Sequence, residues 1–87
     1  GLTITKERLG QIEQAEKVVK EFCSGQVRVR HHDNLARIEV SEADIPVLAA
    51  SENARRIHSA LKQLGFTFVT LDLAGYRTGS MNETLGQ

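Results

Sequence analysis

The stretch Val27-Arg28-Val29-Arg30-His31-His32-Asp33-Asn34-Leu35-Ala36-Arg37-Ile38-Glu39-Val40 decides the fold. On both sides of Asp33-Asn34, apolar and polar residues alternate with period two, the pattern of strands with one buried face. Asp and Asn tolerate positive φ, so this pair suits a tight hairpin turn. A two-residue turn sets Val29 against Ile38 and Val27 against Val40. One face of the hairpin then carries Val27, Val29, Ala36, Ile38 and Val40. The other carries Arg28, Arg30, Arg37 and Glu39, with Arg30 opposite Arg37 and Glu39 opposite Arg28. A slip of one residue would bury the arginines, so the register is firmly specified.

Before the hairpin, Leu9, Ile12, Ala15, Val19 and Phe22 recur at spacings of three and four, the stripe of an amphipathic helix. Thr5 suits its N-cap and Ile4 with Leu9 a hydrophobic staple. Ser24-Gly25 ends it, with Gly25 available for a left-handed C′ turn. After the hairpin, Pro46 interrupts a helix start at Ser41, which predicts one turn over 42–45 and a short helix from Pro46. A further helix runs from about Glu52 to Leu64, capped by Ser51 and closed by Gly65, with Ala54, Ile57, Leu61 and Leu64 inward. Phe66 to Leu71 is apolar and β-branched, a third strand. From residue 73 to 87 the chain is polar and glycine-containing, in keeping with a flexible tail.

The fold class expected is therefore α+β, in the order α-β-β-α-α-β. The hairpin and one further strand form a small sheet, with helices packed on its apolar face. Eighty-seven residues make one domain, not two. Formal net charge is zero, which argues against a duplex nucleic-acid binder, and aromatic residues for stacking on single strands are few. No apolar run is long enough to span a membrane, and no signal peptide opens the chain. The single cysteine, Cys23, excludes an internal disulfide and fits a reducing, cytoplasmic setting.

Arg28 and Arg30 project from one strand face about 7 Å apart. Such an array can grip phosphate bidentately; equally, it can be a solvated face with one cross-strand ion pair. Like charges at Arg30 and Arg37 oppose each other unless an anion lies between them. His31 and His32 point to opposite faces and cannot share a metal, and no zinc-type ligand spacing occurs anywhere, so no metal is expected. His58 borders an apolar stripe, which suits a packed or half-exposed histidine. Cys23 lies at the negative end of a helix, which disfavours thiolate and suits a buried structural thiol. The segment Gly75–Glu83 could wrap an anion with backbone N–H groups, or be an ordinary chain end.

The segments GLTIT (1–5), QIEQAE (11–16), VRVRHH (27–32), LARIEV (35–40), LGF (64–66) and LDLAGYRTGSMNE (71–83), in this order, resemble one family. It is the LarE-type ATP-dependent sacrificial sulfur transferases of the PP-loop superfamily, and the resemblance runs through the whole chain. It implies that residues 1–87 are a single C-terminal domain. The N-terminal PP-loop domain with its SGGxDS-type phosphate loop, and the sulfur-donating cysteine, would lie upstream; Cys23 does not match that cysteine. The implied chemistry is adenylation of a carboxylate on a nicotinic-acid-derived nucleotide, with ATP and magnesium used by the parent enzyme and pyrophosphate released. A protein cysteine then attacks and leaves its sulfur in the product, a step towards the nickel-pincer cofactor of lactate racemase. Carried over, Arg28, Arg30 and Arg77 match groups facing phosphate or substrate, and Glu16 an active-site acid on the preceding helix. Glu39 and Asp44 match acids near subunit contacts. The resemblance further implies a homo-oligomer, a phosphate-bearing nucleotide substrate and no activity or bound cofactor in these residues alone. The competing expectation is a freestanding module that binds anions or assembles copies without catalysis.

Overall fold

A computed structural model of the chain describes residues 6–76. Helix α1 spans Lys6–Lys20, strand β1 Val27–His32 and strand β2 Leu35–Val40; a 3-10 turn over Glu42–Asp44 leads into α2 (Ile45–Ala49), α3 (Ser51–Gln63) and β3 (Phe68–Leu71). The class and order are those that the alternation and the helical stripes predict. Thr5 and Ile4 lie outside the described residues.

The hairpin pairs Val27 with Val40, Arg28 with Glu39, Val29 with Ile38 and Arg30 with Arg37, the predicted register. Asp33 supplies the positive φ of the turn, at 53°. Strand β3 adds parallel to β2, Leu35 pairing with Phe68 and Ile38 with Leu71, so the sheet order is β1-β2-β3. The core forms between the helices and one sheet face, from Ala15 and Val19 of α1, Val29, Ala36, Ile38 and Val40 of the sheet, Leu48 of α2, Ile57 and Leu61 of α3, and Phe66. Leu9, expected on the inward stripe, is half exposed instead. Among the described residues, no helix is long and apolar enough to cross a membrane.

Helix ends show where tertiary context redirects local preference. Gly65 takes φ +110° after α3. Its N–H donates to Lys62 O and that of Phe66 to Leu61 O, a Schellman closure in which Phe66 packs back toward the last turn. This explains why β3 starts at Phe68 and not at Phe66. Gly25, by contrast, is not left-handed. Helix α1 ends through short-range bonds from Phe22 N to Val19 O and Cys23 N to Lys20 O. Gly25 is required for space, because a Cβ there would collide with the Ser41 side chain and lie 3.4 Å from Asp44 Oδ2. Ser51 is the first residue of α3, not its cap; α2 runs almost directly into α3, so the cap position falls on Ala50, with ψ 136°.

Candidate functional site

The helices cover only one side of the sheet. From the other side project Arg28 and Arg30 of β1, Arg37 and Glu39 of β2, and Phe68 and Thr70 of β3, as alternation along each strand requires. The three arginines are held in three different ways.

Arg37 is locked. Its Nη2 lies 3.1 Å from Glu39 Oε2, and its Nε lies 3.9 Å from Asp72 Oδ2, just past β3. That Nε is buried without a hydrogen bond among the described residues. Arg30 is shared: its Nε lies 3.4 Å from Glu39 Oε1, while its side chain stays 46% exposed. Glu39 is thus the anion between Arg30 and Arg37. Its Cα pairs with Arg28, but its carboxylate reaches diagonally to the next row, as long side chains on a twisted sheet can. One buried carboxylate thereby relieves the like-charge pair that the register creates.

Arg28 has a different partner. Its guanidinium carbon stacks 5.7 Å from the centre of the Tyr76 ring, and its Nη2 points at Tyr76 Oη, 3.5 Å away, the outer limit of a hydrogen bond. Among the described residues, no carboxylate lies within ion-pair distance of it. Tyr76 orients the cation without neutralising it, since a ring face attracts a guanidinium through its quadrupole alone. The alternation reading found the arginines and missed Tyr76. The signal available was an aromatic residue directly after Gly75, whose φ of +84° turns the chain back so that Tyr76 N donates to Val40 O. The described part of the tail, 73–76, is therefore fastened to the end of β2. Arg77 lies outside the described residues.

The three acids occupy separate places. Glu16 sits on α1 and accepts a hydrogen bond of 3.0 Å from Val29 N. Strand β1 is a sheet edge, so Glu16 satisfies a backbone donor that the ladder leaves open. It stands at that edge, not on the arginine face. Asp44 is buried, and both its oxygens are used: Oδ1 accepts from Ser24 N and Oγ, and Oδ2 from Gly25 N at 3.0 Å. Burial alone would raise its pKa; the bonds from Gly25 and Ser24 outweigh this and hold it below the ordinary carboxylate value. Asp44 thus clamps the end of α1 to the 3-10 turn. Only Glu39 joins the arginines.

Cys23 and His31 are partly buried, and His58 is not. Burial, then the charge of Asp44, pushes the Cys23 thiol up to about 11, so it is no nucleophile at neutral pH. His31 packs against Phe66, ring centres 5.4 Å apart. Burial and then Arg8 lower its pKa, which leaves a neutral ring facing Arg8 Nη1 at 2.9–3.0 Å. His58 is exposed on α3. No cluster of three or more His, Cys, Asp or Glu among the described residues is placed to hold a metal. The arrangement can present one firmly positioned, uncompensated guanidinium and one half-compensated one to an anion arriving from the open side.

No protein-family model matches the chain. It is 42% identical over 85 residues to pyridinium-3,5-bisthiocarboxylic acid mononucleotide synthase of Lactiplantibacillus plantarum, across 98% of this chain and 30% of that protein. It is 36% identical over 85 residues to an uncharacterised protein of Synechocystis, across 98% of this chain and 32% of that one. The chain spans under a third of the length of both relatives.

Proposed function

The chain belongs to the LarE-type family, matching its C-terminal part, and on that premise we propose that it serves an ATP-using sulfur transferase as the domain that grips the substrate phosphate. In this reading a PP-loop domain outside these residues binds ATP and magnesium and carries the sulfur donor. The present chain supplies Arg28 and Arg30 from the open sheet face, with Arg77 joining them, and helps assemble copies of the enzyme in the cytoplasm. By itself it turns nothing over. The observation that carries the reading is Arg28, a guanidinium held in place by Tyr76 and left without a counter-ion among the described residues. A fixed arginine fork matches phosphate geometry, and fixing it beforehand reduces the ordering entropy lost on binding.

The division of labour on the face follows from its charges. Glu39 keeps Arg37 and part of Arg30 occupied, so the face does not become a general anion trap. Arg28 gives the approaching phosphate its strongest contact, and Arg30 can swing from Glu39 to complete the grip. The test is the full-length enzyme carrying Arg28→Ala with Arg30→Ala. A charge-assisted contact is worth about 1.5–3 kcal/mol, so KM for the phosphate-bearing substrate should rise by at least about tenfold with the melting temperature nearly unchanged. Unaltered KM in a well-folded double variant would sink the reading, as would pyrophosphate release from ATP by the 87-residue chain alone.

A further inference from the structure

The open face of the sheet is a grid whose rows differ in chemistry. Strand pairing aligns His32, Leu35 and Phe68 in one row, Arg30, Arg37 and Thr70 in the next, and Arg28 with Glu39 in the third. The second and third rows carry the arginines and their carboxylate. The first row holds no acid, lysine or arginine. Phe68 ends it, 61% exposed, on backbone fixed by the bond from its N–H to Asn34 O. Leu35 beside it is half-buried and His32 is exposed. One wet apolar side chain is ordinary on a protein surface; what sets Phe68 apart is its place on the same rigid face as Arg28. The exposed apolar area there is one ring wide. The other exposed large apolar side chains among the described residues, Leu9, Val47 and Leu73, lie on α1, on α2 and past the end of β3. A stable protein partner covers about 800 Å² on each side, far more than one ring offers.

We propose that Phe68 receives the planar ring of the nucleotide whose phosphate Arg28 and Arg30 grip, and so determines specificity at the far end of the same ligand. This rests on the phosphate reading above and extends it. Phe68 stands two strands across and two residues along from Arg30, which separates their Cα atoms by about 12 Å at the usual strand spacing and rise. That span suits a phosphate, a sugar and one ring laid end to end, because an arginine meets its phosphate well out from its own Cα. The ground between carries groups already engaged: Arg37 is held by Glu39 and Asp72, and Thr70 Oγ1 donates to Ala36 O. The face therefore offers one available cationic end and one flat apolar end. A nucleotide matches both in a single molecule, with an anion at one end and a ring at the other. Stacking on an aromatic face reads flatness and not a hydrogen-bond pattern. Phe68 thus favours ligands that carry a ring over bare sugar phosphates, without choosing among rings. The sheet supplies one wall of this slot, and the facing wall comes from outside these residues.

The experiment is calorimetric titration of the full-length enzyme with two probes. One is nicotinic acid mononucleotide; the other is ribose 5-phosphate, which keeps the phosphate and lacks the ring. Phe68→Ala should weaken the mononucleotide by at least about fivefold, the lower end of a base–aromatic contact, and leave ribose 5-phosphate within about twofold. Phe68→Leu keeps an apolar side chain and loses the ring, so it should weaken the mononucleotide nearly as much. Phe68→Tyr keeps the ring and should bind both probes as the parent does. The side chain is largely exposed, so all three variants should melt close to the parent. Equal weakening of both probes by Phe68→Ala, no weakening of either, or full retention of affinity by Phe68→Leu overturns the proposal. So does a loss confined to the melting temperature, the result expected if a protein segment covers the ring. Failure of the phosphate reading looks different: Arg28→Ala with Arg30→Ala would then leave both probes unchanged, whatever Phe68 does.

Discussion

Against the helices the sheet presents Val29, Ala36, Ile38 and Val40, each at 2% exposure or less. On its other side, Arg30 and Arg37 keep 46% and 41% of their side chains in water. The same six-rung hairpin makes both surfaces, one residue out of phase. The covered side owes its stability to area removed from water and to close packing, which are non-directional and additive over many contacts. The open side has directional, charged contacts that largely cancel one another and are weakened by solvent. The comparison separates what holds the domain together from what it offers to a partner: substitutions on the covered side should cost stability, and those on the open side should cost binding.

The strongest way to challenge this contrast is Leu61→Ala. Leu61 is fully buried and its carbonyl accepts the closing bond from Phe66. Loss of a buried leucine typically costs about 2–5 kcal/mol, and a domain this small has little reserve. Urea denaturation should find much of the variant unfolded before denaturant is added. A loss below about 1 kcal/mol would mean that the covered side is loosely packed.

Second in size is the acid response of Asp44, which belongs to the covered side although it is charged. Its folded pKa lies below the ordinary carboxylate value. A depressed carboxylate contributes stability that is complete above the unfolded value and disappears as pH falls through the folded one. Stability should therefore decline below about pH 4, and Asp44→Asn should flatten that limb while lowering stability at neutral pH. The same acid limb in the variant would remove Asp44 as its source.

Third is Glu39→Gln on the open side. It leaves Arg30 opposite Arg37 without the carboxylate between them. With both arginines well exposed, the cost should be about 1 kcal/mol and should shrink in high salt. A salt-independent loss would show that the contacts of Glu39 act through packing, not charge.

The hairpin was legible from sequence because period-two alternation and a two-residue turn leave one consistent register. Helix α3 was legible for the same kind of reason, with Ile57 and Leu61 on one stripe and Gly65 at its end. What escaped depended on contacts between segments distant in sequence. The diagonal reach of Glu39 to Arg30 and Arg37 depends on where side chains lie on a twisted sheet, not on which Cα atoms pair. Gly25 looked like a helix cap because nothing local announces Ser41 and Asp44 crowding it from another element. Glu16 sits where an active-site acid could be sought; only the placement of β1 at a sheet edge shows its carboxylate closing a backbone donor. Of the site itself, the arginines were visible and the group that orients Arg28 was not.

The smallest predicted effect is the most diagnostic of that missing group. Tyr76→Phe keeps the ring under Arg28 and deletes only the hydroxyl, whose contact with Nη2 is at the distance limit. Exposed cation–π contacts are worth about 0.5–1 kcal/mol, and this variant retains that share, so KM in the full-length enzyme should change by less than about threefold. Tyr76→Leu removes the ring as well and should raise KM further, with kcat and the melting temperature close to those of the parent. That ordering is expected only if Tyr76 works by orienting a cation. If it instead acted as a hydrogen-bond donor to substrate, the phenylalanine variant would lose as much as the leucine one. If it served only to pin the chain to Val40 through its backbone N–H, neither variant would change KM, because that bond is common to both.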